Sequence, residues 1–81
     1  MAKIYRRIRE LREDHDWSQA KVGKMLNMSQ TGYCQYEIGK NDVPTEVLIK
    51  LAHIYNVSID YILGLTNIPN TYERTTPKDV A

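Results

Sequence analysis

The sequence predicts an all-α domain of five short helices, and three observations predict it. Apolar residues recur at intervals of three and four, and nowhere do they alternate over the length of a strand. Ser18, Ser29 and Ser58 each stand just ahead of such a run, where a hydroxyl can accept an orphan amide hydrogen at a helix start. Asn27, Gly39, Asn56 and Gly64 stand just past the runs, and these residue types tolerate the left-handed backbone that ends a helix.

The elements follow in chain order. Ile4, Ile8 and Leu11 mark a first helix over residues 2–14, with Arg6, Arg7, Arg9 and Arg12 on its other faces. A second helix over 19–26 starts behind Ser18, buries Val22, Met25 and Leu26, and stops at Asn27. A third, over 30–38, runs from the cap Ser29 to Gly39. Pro44 suits the first turn of a fourth helix because its missing N–H would have no partner there; Val47, Leu48, Leu51, Ala52 and Tyr55 line one face up to Asn56. Ser58 caps a fifth helix with Ile59, Ile62 and Leu63 inward, closed by Gly64. Residues 1–65 thus form one compact domain. The remainder, 66–81, holds two prolines and no periodicity, and reads as an extended or disordered tail.

Size and composition exclude several functions. A chain of 81 residues can bury only about 60 to 65% of its unfolded surface, too little for a multi-domain enzyme with its own cleft. Cys34 is the single cysteine and His15 and His53 lie far apart, so neither a disulfide framework nor zinc-ligand spacing is present, and no metal or cofactor is expected. As a nucleophile Cys34 lacks a neighbouring histidine and an acid to orient it, so a catalytic role is not expected. The charged opening, with no apolar stretch behind it, argues against a signal peptide or membrane span and for a cytoplasmic protein. Net charge is +1, but residues 1–40 carry +3 and residues 41–81 carry −2. A basic front half hints at an anionic partner.

Two short helices joined by Asn27-Met28-Ser29 form a helix-turn-helix. The stretch from Ser18-Gln19-Ala20 through Gln30-Thr31-Gly32-Tyr33-Cys34-Gln35-Tyr36-Glu37-Ile38-Gly39-Lys40, with Leu51-Ala52 and Val57 to Gly64 behind it, resembles the Cro/CI-type, lambda-repressor-like DNA-binding domains, also called the xenobiotic response element family. The resemblance covers residues 4–65. Where such domains carry alanine this chain has Gly23, and where they carry glycine at the turn it has Asn27; small size and left-handed tolerance are both kept. Tyr33 replaces the usual Ile or Val of the third helix, a change expected to alter its packing angle.

Gln30, Thr31, Cys34 and Gln35 share one face of the third helix, which holds no large apolar residue. Such a stripe could simply be solvated, but within a helix-turn-helix it suits the major groove, where a glutamine amide can pair with adenine at N6 and N7. Gly32 would leave room there for close backbone approach. Gln19 heads the second helix, where free amides attract phosphate; the resemblance implies that its side chain contacts the DNA backbone and buttresses Gln30. The resemblance likewise places Lys40 and Asn41 against phosphate, with an ordinary polar turn as the alternative, and pairs Arg12 with Glu37 to tie the first helix to the third. Arg6, Arg7 and Arg9 suit a solvated face better than a phosphate contact, and Tyr36, Tyr55 and Tyr61 should turn rings to the core and hydroxyls to water. His15 and His53 read as surface or boundary residues.

The expected function is that of a transcriptional regulator, more often a repressor, binding a two-fold symmetric double-stranded DNA operator. One small reading head makes few base contacts, so a homodimer over half-sites a helical turn apart is expected. The rival reading is an antitoxin or protein-interaction regulator whose tail clasps another protein through Leu65, Ile68 and Tyr72.

Overall fold

In a computed structural model that describes residues 4–69, five helices pack around one core: α1 (Arg6–Asp14), α2 (Gln19–Met25), α3 (Gln30–Glu37), α4 (Thr45–Tyr55) and α5 (Ile59–Ile62). Among the described residues there is no strand, and no helix is long and apolar enough to cross a membrane. Residues 2 and 3 of the expected first helix, Tyr72, and the tail from 70 onward lie outside the described residues.

The three serine caps form as expected. Ser18, Ser29 and Ser58 accept the backbone N–H of Lys21, Gly32 and Tyr61, each at 3.0 Å. The helix ends share one device. At every helix end the N–H that follows the left-handed residue returns to the carbonyl five residues back: Trp17 to Arg12, Met28 to Gly23, Lys40 to Gln35, Val57 to Ala52 and Leu65 to Asp60. Between them sit the residues at positive φ, namely Asp16, Asn27, Gly39, Asn56 and Gly64. Four of these five stops are readable from residue type; Asp16 is the one that is not.

Ile8, Leu11, Val22, Leu26, Tyr33, Leu51, Ala52, Tyr55, Val57 and Ile62 make the core. Four expectations need correction. Helix α1 starts at Arg6 behind an extended Tyr5, so Ile4 falls off the helical stripe and is half exposed, while Tyr5 packs against the core in its place. Met25 is also exposed: α2 turns Val22 and Gly23 inward, and Gly23, not Met25, meets the turn into α3. Pro44 holds the cap position rather than the first turn, and its carbonyl accepts Val47 N–H and Leu48 N–H, both at 3.0 Å. Leu63 is only half-buried.

Gly23 is fully enclosed where α2 crosses the turn into α3. A Cβ there would lie 3.2 Å from the backbone oxygens of both Met28 and Ser29, so the close crossing depends on its absence. His15, Trp17 and Tyr55 pack ring against ring, with centroids 4.6 to 5.6 Å apart, and join the end of α1 to the end of α4. The Tyr55 hydroxyl is buried there without a hydrogen-bond partner, not turned to water, and its pKa is pushed up to about 12, first by burial and then by the Glu37 charge.

Arg7 is neither a phosphate contact nor simply solvated. Its guanidinium donates to the backbone carbonyls of Tyr61 (2.8 Å) and Thr66 and to Asn67 Oδ1 (2.6 Å), and it lies 3.9 Å from the centre of the Tyr61 ring. Ser58 N–H meanwhile donates to Pro69 O at 3.3 Å. The first residues past α5 are therefore fastened back onto α1 and α5, with Leu65 and Ile68 facing out.

Candidate nucleic-acid interface

The turn between α2 and α3 is short because Asn27, at φ 61°, reverses the chain in one step and Ser29 immediately caps α3. This places the head of α2 beside the outer face of α3. Gln19, Gln30, Thr31, Cys34, Gln35, Ile38 and Lys40 line a single shallow depression there. Gln30, Thr31 and Lys40 are exposed, whereas Gln19, Cys34 and Gln35 are half-buried along its floor.

Asn41 completes the group from the edge: its Nδ2 donates to Gln35 Oε1. All seven residues singled out for DNA thus lie together. Ile38 is the member the sequence reading missed. Its spacing from Gln30 and Cys34, four residues at each step, puts it on the same stripe, and at 58% exposure it offers an apolar surface of the kind that meets a thymine methyl.

Directly behind the depression lies a charged pair. Arg12 Nε donates to Glu37 Oε2 at 2.7 Å and Arg12 Nη2 to Glu37 Oε1 at 3.1 Å, while Nη1 donates to Trp17 O at 2.9 Å. The Glu37 side chain is only 2% exposed and that of Arg12 13%. Burial alone would raise the Glu37 carboxyl, but Arg12 above all, helped by Tyr33 and Gln19, holds it below the usual carboxylate range. Its bond to Glu37 in turn raises the Arg12 pKa.

Gln19 does not buttress Gln30 in this structure. Its Nε2 donates to Glu37 Oε1 at 3.1 Å, because the carboxylate lies within reach and draws the amide inward. Tyr33 fills the space beneath, with no exposed surface at all. Its hydroxyl lies against Glu37 without forming a good hydrogen bond, and burial, followed by the carboxylate, pushes its pKa well up. A Cβ at Gly32 would meet Met28 Cε at 3.1 Å and Ser29 Oγ at 3.2 Å, so the glycine also eases the turn.

Comparison with known proteins agrees with this geometry. The Helix-turn-helix family model matches residues 8–62. The uncharacterized HTH-type transcriptional regulator YobD of Bacillus subtilis (strain 168) is 36% identical over 64 residues, covering 79% of this chain and 57% of YobD. The HTH-type transcriptional regulator ImmR of the same strain is 32% identical over 68 residues, 84% of this chain and 54% of ImmR. Antitoxin PezA of Streptococcus pneumoniae serotype 4 (strain ATCC BAA-334 / TIGR4) is 30% identical over 70 residues, 86% of this chain and 44% of PezA. The chain spans about half the length of the curated relatives it matches. With the matched region running from α1 to the end of α5, and the α2–α3 unit built as its residues predict, the chain belongs to the Cro/CI-type helix-turn-helix family.

Proposed function

We propose that this domain is a sequence-specific, double-stranded-DNA-binding transcriptional regulator that inserts α3 into the major groove. The observation that carries the reading is the gathering of Gln19, Gln30, Thr31, Cys34, Gln35 and Lys40 on one concave face, amides in the middle and a cation at the rim. Amides at the centre can hydrogen-bond base edges, and Lys40, with Asn41 beside it, suits the flanking phosphates. Two copies related by a two-fold axis would double these contacts over a symmetric operator, the arrangement of a repressor homodimer. The names of YobD and ImmR support regulation as the role.

Selection of duplexes from a random pool tests the proposal. Enrichment of a two-fold symmetric site, bound with a steep salt dependence, is the expected result; a pool that stays random after several rounds overturns it. The likeness to PezA supports a second reading, in which the domain also holds a protein partner through the outward-facing Leu65 and Ile68. Co-purification of a second chain that is lost in Leu65→Ser/Ile68→Ser, with DNA binding kept, is the result expected of it.

A further inference from the structure

Gln35 stands where the last turn of α3 is closed. Its backbone carbonyl accepts Lys40 N–H at 2.9 Å and Asn41 N–H at 3.3 Å, a return that Gly39 makes possible with its φ of 76°. The same return carries the Asn41 side chain to Gln35, where Nδ2 donates to Oε1. The loop therefore holds Gln35 by its backbone and by its side chain together.

A glutamine amide has two unlike ends. Oε1 accepts and Nε2 donates, and the amide must show both ends to one base to bracket adenine at N6 and N7. In this structure Oε1 is turned toward the loop and accepts from Asn41, and because the amide is planar this points Nε2, with its two hydrogens, the other way. Guanine offers them two adjacent acceptors, O6 and N7, and thymine offers O4. Adenine offers N7 beside a donor that repels them, and cytosine offers only a donor.

From this we infer that Asn41 is a positioning residue that fixes the polarity of Gln35, so that Gln35 reads the operator as a hydrogen-bond donor and selects guanine against cytosine. The inference rests on the placement of α3 in the groove and deepens it. Asn41 keeps a second Nδ2 hydrogen for a phosphate, so a single side chain would link the backbone contact to the base contact. The adenine pairing suggested by residue type alone is replaced by a guanine preference.

Two measurements test it. In ¹⁵N-labelled protein without DNA, Gln35→Ala should shift the Asn41 side-chain amide resonances and speed their exchange with solvent; unchanged resonances overturn the inference whether or not any duplex binds. With DNA, the informative operator position is the one at which Gln35→Ala flattens discrimination. There the wild type should favour guanine over cytosine by about tenfold. In Asn41→Asp a carboxylate that can only accept should draw Nε2 inward and turn Oε1 outward, moving the preference about tenfold toward cytosine and adenine. Asn41→Ala should leave the position nearly indifferent.

If both Asn41 variants weaken all four base pairs by a common factor and keep their order, Asn41 is a phosphate contact alone and the inference fails. If the wild type ranks no duplexes, or Gln35→Ala leaves every ranking intact, the placement of α3 fails and takes the inference with it. The amide spectrum tells these failures apart, since it reports the Asn41–Gln35 bond without DNA.

Discussion

Arg12 and Glu37, 25 residues apart, meet through two parallel hydrogen bonds that lock α1 against the last turn of α3. Removing one partner leaves a buried charge unmatched. Glu37→Gln or Arg12→Ala should therefore cost on the order of 3 kcal/mol. Urea unfolding of each variant gives the number, and an unchanged midpoint would remove the pair from the stability account.

The same pair sets the acid limit. The folded Glu37 pKa lies below the ordinary value of 4.5, so the carboxylate's contribution is complete above pH 4.5 and is lost as pH falls through the lower folded value. Wild-type stability should drop steeply in that window, and that of Glu37→Gln should drop less. At the alkaline end the sign reverses. Tyr55, raised from 10.0 to about 12, favours the fold fully below pH 10.0 and loses that contribution as pH climbs toward 12. Melts across both ranges, with tyrosinate absorbance followed at high pH, check the two slopes.

Asn27 tests the left-handed stops. Asn27→Ala should destabilise the domain by about 1 kcal/mol, since alanine meets the full steric penalty at positive φ, whereas Asn27→Gly should stay within about 0.5 kcal/mol of wild type. Thermal melts of the two variants that coincide would deny this role to Asn27.

Arg7→Ala should unfasten residues 66–69. The Ser58 amide, bonded to Pro69 O, reports this through faster hydrogen exchange, while global stability falls by only about 1 kcal/mol. Arg7→Lys should not restore protection, because one ammonium cannot reproduce the planar fork that serves the Tyr61 and Thr66 carbonyls and Asn67 together.

Reading and anchoring should separate between Gln35 and Lys40. Gln35→Ala is expected to cost about 1 to 3 kcal/mol on the selected operator and to relax one base position per half-site. Lys40→Ala should weaken all duplexes alike and lower the salt slope by about one per monomer. Titrations on single-base operator variants at several salt concentrations decide it, and equal weakening of every duplex by Gln35→Ala would take α3 out of the groove.

Much of this was legible in the sequence where the governing interaction is local. Ser18, Ser29 and Ser58 each cap an amide three residues on, and Asn27, Gly39, Asn56 and Gly64 each end the helix before them. The Arg12–Glu37 bond is long-range, and family resemblance rather than spacing pointed to it. What was missed depends on how elements meet. Ile4 keeps the helical period but precedes the helix, and Met25 keeps it too but stays exposed while Gly23 makes the contact with the turn. The redirected Gln19, the Arg7 clasp and the Asn41–Gln35 bond join polar side chains whose partners only the folded chain brings near.

Because all five helices end in the same tightly hydrogen-bonded reversal, the joints between them have little slack. To lengthen or swing α3 would break the bonds that Lys40 and Asn41 make to Gln35 O, and Gly23 leaves no gap for α2 to slide into. The protein should thus meet a duplex as a stiff template. Any mismatch in curvature or groove width then falls on the nucleic acid, which makes bendability of the base steps between half-sites a determinant of affinity even where no side chain reaches them.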